Sequence, residues 1–525
     1  MHTIRRHRAS VLSFAVLFVT AGWVTGANAL FQTASAGGMP SRNNKIDGRA
    51  AAFAAILDER GFIVQEGSAE VIDPFHIVND LRLMDSCGGN NAGQPYKRWA
   101  VPPPPGREVE VEIPFVLSPD EAVVYVGKTP PLCDYFSFVP MLWSRHYPDS
   151  CKLTGDYLLA SVIDPLNNAW IQTEDPINPF EQNTIVVLTA DEGVYGRILD
   201  AAEAAGFPAS MVNRLVLPSN VLHLGIEPGS DRLIVLVRTA NFASETEGRK
   251  YLANNELAKV FRITPRIAPV LQPFEQPAWR DRAWKHEETL VRGLSKGLKR
   301  LKAAILAKTP HVQARPLESI RWFYDSSEVL DPTKEAYRKY LAGESSDTPY
   351  LRSAENRLPT SFILGSKDMV VVYGVNHAAT GIATYSMFGV YGEWTLSHCP
   401  PVLPDEPVFV YGADDPIWNG VAGMTNHEFT GSAEEFIPGD PMAPYLYAVR
   451  IVRHRRVDAG QKYYVVVPGL DPDKESEYGP PFYPDVIGLD KPVFIGYRAY
   501  VNPATKAGPA YDDIIPDRAI WFKLE

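Results

Sequence analysis

Cysteine and histidine are scarce in this 525-residue chain, with 4 and 11 copies, and several motifs that would announce a chemistry are missing. No Gly-x-Gly-x-x-Gly or Walker loop occurs, so no nucleotide cofactor is expected. No Gly-x-Ser-x-Gly elbow is present, which disfavours a serine hydrolase of the α/β type. No His-Glu-x-x-His pair offers a ready-made zinc site. Beyond Val24 no apolar run approaches the roughly 20 residues that a membrane-spanning helix needs. Positive charge is in deficit too, 51 Lys and Arg against 62 Asp and Glu, and that acidity disfavours nucleic acid and anionic lipid as general partners.

What is there begins with an address. Arg5, Arg6 and Arg8 precede an apolar run from Val11 to Val24, followed by Ala27-Asn28-Ala29 as a small-x-small cleavage site, the three-part pattern of a secretory signal peptide. The reading expects cleavage near Ala29 and an exported protein, periplasmic or secreted, with no integral membrane segment afterwards. Cleavage removes three arginines and no acid, leaving 48 basic against 62 acidic residues and a net charge of −14. Cys87, Cys133, Cys151 and Cys399 are even in number in an exported chain, so disulfides are expected. The short loop from Cys133 to Cys151 makes that pairing the preferred one among three.

The patterning of the remainder predicts a β-rich α+β fold of two sandwich-like domains joined by a long helical connector. Residues 1–29 are the signal peptide. Residues 30–106 hold an Ala-rich helix stopped near Gly61 and a Pro/Gly-rich connector, with regular structure unlikely from Cys87 to Gly106. Residues 107–245 form the first β-rich domain, opening on the strict alternation of Val109 to Ile113; within it Asp191 is placed to cap a helix from Val194 to Ala205. Residues 246–345 are the connector, in which Pro265, Pro269, Pro273 and Pro277 precede one helix from Trp284 to Lys308. One side of that helix is apolar and the other carries Lys299, Arg300 and further bases, either a solvated face or a docking face for an acidic surface, of this chain or of a protein partner. Residues 346–525 form the second β-rich domain. The runs Val123-Val124-Tyr125 and Tyr135-Phe136-Ser137-Phe138 are echoed by Val371-Val372-Tyr373 and Tyr385-Ser386-Met387-Phe388, as expected of two related domains.

Chemistry is best sought at a repeated frame, Asn-His-x-x-Thr-Gly, which occurs at Asn376–Gly381 and at Asn426–Gly431. His377 and His427 would serve as general acid and base, with Tyr385 as a further proton donor, because an imidazole titrates near neutrality. Asn376, Thr380, Asn426, Thr430, Tyr373 and Tyr411 would bind the ligand. With His398 and Asp414, the two histidines would supply ligands for a divalent metal such as zinc, copper or iron. The bland alternative is that Asn, Thr and Gly build turns while each histidine pins a strand end. The pattern therefore predicts an exported soluble enzyme acting on a small organic molecule, by His-based acid/base or metal-assisted hydrolysis or elimination, a hydrolase or lyase. The alternative is a non-catalytic extracytoplasmic protein that binds a ligand or partner.

Overall fold

A computed structural model describes residues 43–72, 91, 95–107, 114–150, 155–341, 343–392, 422–453, 462–467 and 492–524, and the compact body runs from Ile46 to the C-terminus. Its β-rich α+β architecture consists of two sheets, one curled into a half-barrel and the other into a nearly closed barrel.

The first sheet uses β1 (Phe62–Val71), β2 (Tyr96–Ala100), β3 (Ala122–Lys128), β4 (Cys133–Arg145), β5 (Asp156–Ser161), β6 (Asn183–Thr189), β7 (Val212–Val216), β8 (Arg232–Phe242) and β9 (Ala258–Pro265), in the order β5-β4-β8-β2-β1-β9-β3-β6-β7. The second uses β10 (Gln313–Arg321), β11 (Tyr350–Glu355), β12 (Asp368–Val375), β13 (Tyr385–Gly392), β14 (Gly423–Thr425), β15 (Leu446–Val452), β16 (Tyr464–Val466), β17 (Pro492–Tyr500) and β18 (Arg518–Lys523), in the order β14-β13-β17-β11-β10-β18-β12-β15-β16. Position for position the two orders are the same, and in both the last two strands pair in parallel while the rest of the path is antiparallel. Three two-residue strands decorate these paths.

The physical reason is the period of two along each strand, which sends successive side chains to opposite faces. In β3, Val123 and Tyr125 enter the interior of the first curl, where they meet Phe138, Leu188 and Val235 from other strands. Val124 and Val126 face outward under two helices, α1 (Asn43–Glu59) and α2 (Glu192–Ala204). Asp191 caps α2 as the sequence implies, accepting from the Val194 amide at 2.8 Å. The second curl repeats the scheme, with Val370 and Val372 inside and Met369, Val371 and Tyr373 under the helix α3 (Leu294–Lys308).

The echoed runs occupy β3 and β12, and β4 and β13, in the same places of the two orders. In the second pair the register agrees, with Tyr135 and Tyr385 in one shared cluster and Phe138 and Phe388 inside their respective curls. In the first pair it slips by one residue, since Tyr125 faces the interior and Tyr373 faces the helix.

Several expectations meet a different outcome. Strands β1, β2, β9 and β10 lie outside the residues expected to form the two β-rich domains, so the first sheet begins earlier and ends later, and the second begins earlier, than the alternating patterns suggested. The helix expected over Trp284–Lys308 is broken: a turn at Glu287–Leu290 ends before Gly293, whose φ of 103° only glycine adopts cheaply, and α3 starts at Leu294. This helix does not bridge two bodies. Leu294, Leu298, Leu301 and Ile305 pack on the second sheet, and Arg300 reaches Asp440 in a two-point ion pair. Among the described residues no helix is long and apolar enough to cross a membrane. The alternation at Val109–Ile113 lies outside the described residues.

Candidate ligand site beneath the crossing segment

Both copies of the repeated frame form one helical turn closed by a glycine at positive φ, Gly381 at 80° and Gly431 at 83°. Asn376 caps the first turn, α4 (His377–Thr380), by accepting from the Ala379 amide. Thr425 and Glu428 form a capping box on the second, α5 (Asn426–Phe429). The frames meet: Asn376 Nδ2 donates to Thr430 Oγ1 at 2.9 Å, and that hydroxyl donates to the Asn426 carbonyl.

The two imidazoles, however, engage different carboxylates. His377 is 1% exposed, with Nδ1 2.9 Å from Glu287 Oε1 and Nε2 3.4 Å from Asp517 Oδ2. Burial alone would push this imidazole down, but the two acids outweigh it and hold it up at about 10. The same pairing outweighs the burial of Glu287 and keeps its carboxyl below the usual range, while Thr380 and the Ile515 amide donate to the same carboxylate. His377 is therefore a buried imidazolium at neutral pH.

The His427 side chain is 52% exposed, and its Nε2 lies 2.8 Å from Asp134 Oδ2 at the start of β4. That hydrogen bond holds its pKa above the ordinary value. Asn241, at a φ of 53°, donates to Asp134 and more weakly to Asn426, tying the first sheet to the second frame.

Tyr385 and Tyr373 are both buried, so desolvation raises them, Tyr373 to about 12 and Tyr385 well above the ordinary value. His398, Asp414 and Tyr411 lie outside the described residues. Among those described, no group of three His, Cys, Asp or Glu side chains is close enough to hold a metal ion. Cys133 is a buried free thiol whose hydrogen faces the Tyr135 carbonyl, and burial raises it; the other three cysteines lie outside the described residues.

Among the described residues, two cavities lie away from these frames. The segment Gln272–Trp284 crosses from the first sheet to the second, stiffened by Pro273 and Pro277. It is pinned by Phe274 N to Ala190 O at 3.0 Å, Arg280 N to Asp164 Oδ2 at 2.6 Å and Trp284 N to Asp513 Oδ2 at 2.7 Å. Beneath it are two cavities of about 480 and 350 Å³, and Trp279 and Arg280 line both. Arg280 is locked by donating Nη1 to the Lys506 carbonyl and Nη2 to the Pro165 carbonyl. The larger cavity adds Trp170, Gln172, Tyr195 and Arg214; the smaller adds Arg282, Arg321, Ser326, Glu344 and Tyr511. Glu344 is a buried carboxyl that accepts from Ser326 Oγ at 2.5 Å. Burial raises it to about 7, with the neighbouring Asp325 adding to the rise and Arg282 and Arg238 opposing it.

The sequence reading missed these residues. A run of arginines and tryptophans, Trp279-Arg280-Asp281-Arg282-Ala283-Trp284, inside a Pro-punctuated stretch was the available signal, since aromatic and cationic side chains on loops are well suited to recognition.

No family model matches the chain, and no curated protein matches it. Among solved structures, an uncharacterized protein from Burkholderia cenocepacia aligns over 91% of this chain and 89% of its own, at 10% identity and a TM-score of 0.33. At that score the resemblance carries neither fold nor function across.

Proposed function

We propose that this is an exported ligand-binding protein that takes a small polar organic molecule beneath the crossing segment Gln272–Trp284. The observation that carries this reading is the pair of cavities sharing Trp279 and Arg280, each in the size range of small-molecule sites and each mixing aromatic faces with a few fixed polar groups. A rigid crossing segment anchored to both sheets supports a site formed before the ligand arrives, which lowers the ordering cost of binding. Export rests on the signal-peptide pattern that ends at Ala29.

The test is a small-molecule thermal-shift screen of the mature protein beside Trp279→Ala. A ligand that binds the native state raises the melting temperature. The expected result is a ligand whose shift is lost in Trp279→Ala while the ligand-free melting temperature stays put. An undiminished shift in that variant, or no shift from any compound, overturns the reading.

A second reading, His-based hydrolysis or elimination, is favoured by one observation: the half-exposed His427 held by Asp134 has the reach of a general acid. Equal turnover by wild type and His427→Ala in a hydrolase and lyase screen would remove it.

A further inference from the structure

The larger cavity contains groups that the fold itself leaves unused. Asn213 is fully committed: its Oδ1 accepts from the Gln172 amide, and its Nδ2 donates to the Gln172 carbonyl and to Thr184 Oγ1. This fixes the floor. The Gln172 side chain, by contrast, is exposed and makes no hydrogen bond among the described residues. Arg214, on β7, lies with its guanidinium 4.8 Å from the Phe274 ring centroid and 5.6 Å from that of Tyr195. It has neither an ion pair nor a hydrogen bond among the described residues. Trp279 is 38% exposed and has neither ring nor cation stacked on it among the described residues. Trp170 differs, since Arg280 and Lys506 already lie 4.9 and 5.3 Å from its ring centroid.

Resting on the binding reading above, we propose that the larger cavity takes a sugar acid, a pyranose bearing one carboxylate. The C–H face of the ring lies against Trp279, hydroxyls meet the Gln172 side-chain amide, and the carboxylate takes the Arg214 guanidinium. The guanidinium fork matches a carboxylate in two parallel hydrogen bonds, and its stacking on Tyr195 and Phe274 orients it in advance. A neutral sugar leaves that cation unmatched. A linear dicarboxylate needs a second cation, and Arg280, the other arginine of this cavity, has both terminal nitrogens committed to backbone carbonyls.

Calorimetric titration of the mature protein with D-galacturonate, D-galactose, succinate and trigalacturonate tests this. Galacturonate is expected to bind about tenfold or more tighter than galactose or succinate, the gain of one charge-assisted pair. Arg214→Gln should bring galacturonate down to the level of galactose while leaving galactose unchanged, Arg214→Lys should retain part of the gain, and Trp279→Ala should weaken both sugars. Tighter binding of trigalacturonate than of the monomer supports the proposal with a polymer end as the source, and the reverse supports it with the free acid. Arg214 is exposed and makes no hydrogen bond among the described residues, so its variants should fold, which circular dichroism verifies. If succinate matches galacturonate, or Arg214→Gln leaves galacturonate unaffected, the sugar-acid proposal is overturned, while the cavity reading survives on any other ligand whose shift depends on Trp279. If no compound gives a shift that depends on Trp279, both fall together.

Discussion

His377 and His427 stand in the same six-residue frame and in the same kind of one-turn helix, yet they live in opposite electrostatic worlds. His377 is enclosed between Glu287 and Asp517, whereas His427 is half-exposed against Asp134. A local frame of Asn, Thr and Gly sets the turn, but the chemistry of the imidazole is set by what the rest of the fold brings against it. Removing each partner in turn tests the difference.

The largest effect is expected at His377. Truncating one member of a buried ion pair leaves the other uncompensated, at a cost of about 3–5 kcal/mol. His377→Ala strands Glu287 and Asp517 together, and chemical denaturation should show a loss of that order. Its pH dependence carries a sign. The imidazole is raised to about 10 in the folded state, so its contribution is fully present below its unfolded value of 6.5 and is lost as pH rises through about 10. Glu287 is lowered, so its contribution is present above 4.5 and is lost as pH falls through its folded value. The wild-type advantage over His377→Ala should therefore be widest between about 4.5 and 6.5 and shrink on both sides. A flat difference from pH 4 to 10 would break the assignment of His377 as a buried imidazolium.

A second pair sharpens the same lesson. Glu287 and Glu344 are both buried carboxyls, but an imidazolium faces the first, whereas the second accepts from a serine hydroxyl while Arg282 and Arg238 only partly offset its burial. Glu344 is raised to about 7, so its contribution is fully present below 4.5 and is lost as pH rises through about 7. Glu344→Gln should make the protein more stable than wild type at pH 8, by about 3 kcal/mol, and should flatten the stability profile between pH 5 and 8. Denaturation midpoints of the two proteins at pH 5 and pH 8 measure this directly. An unchanged slope would mean that Glu344 stays ionised.

How much of this could be read from the chain depends on the distance over which each feature is encoded. Strands such as Met369–Gly374, the Asp191 cap and the turns at Gly381 and Gly431 were legible because period, cap and glycine lie within a few residues of one another. The acids that define His377 lie 90 and 140 positions away, and no spacing rule reaches that far. The curl of the sheets escaped for the same reason, as an alternating strand reads alike in a sandwich and in a barrel. The cavities escaped because their cover, punctuated by Pro273 and Pro277, looks like any connector until both of its anchors are known.

The smallest effect is expected at His427, and its smallness is what gives it value. An exposed ion pair contributes about 0–1 kcal/mol, so His427→Ala should move the denaturation midpoint little. Asn376→Ala tests the neighbouring link instead: it removes a cap that typically contributes about 1 kcal/mol together with the Asn376–Thr430 hydrogen bond that joins the two turns. If the two turns act as one unit, the double variant Asn376→Ala with His427→Ala should lose less than the sum of the single losses, because Asn376, Thr430, Asn426, Asn241, Asp134 and His427 form one chain of contacts that either change alone already interrupts. Strict additivity would mean that the turns share a hydrogen bond and nothing more, leaving His427 to answer to Asp134 alone.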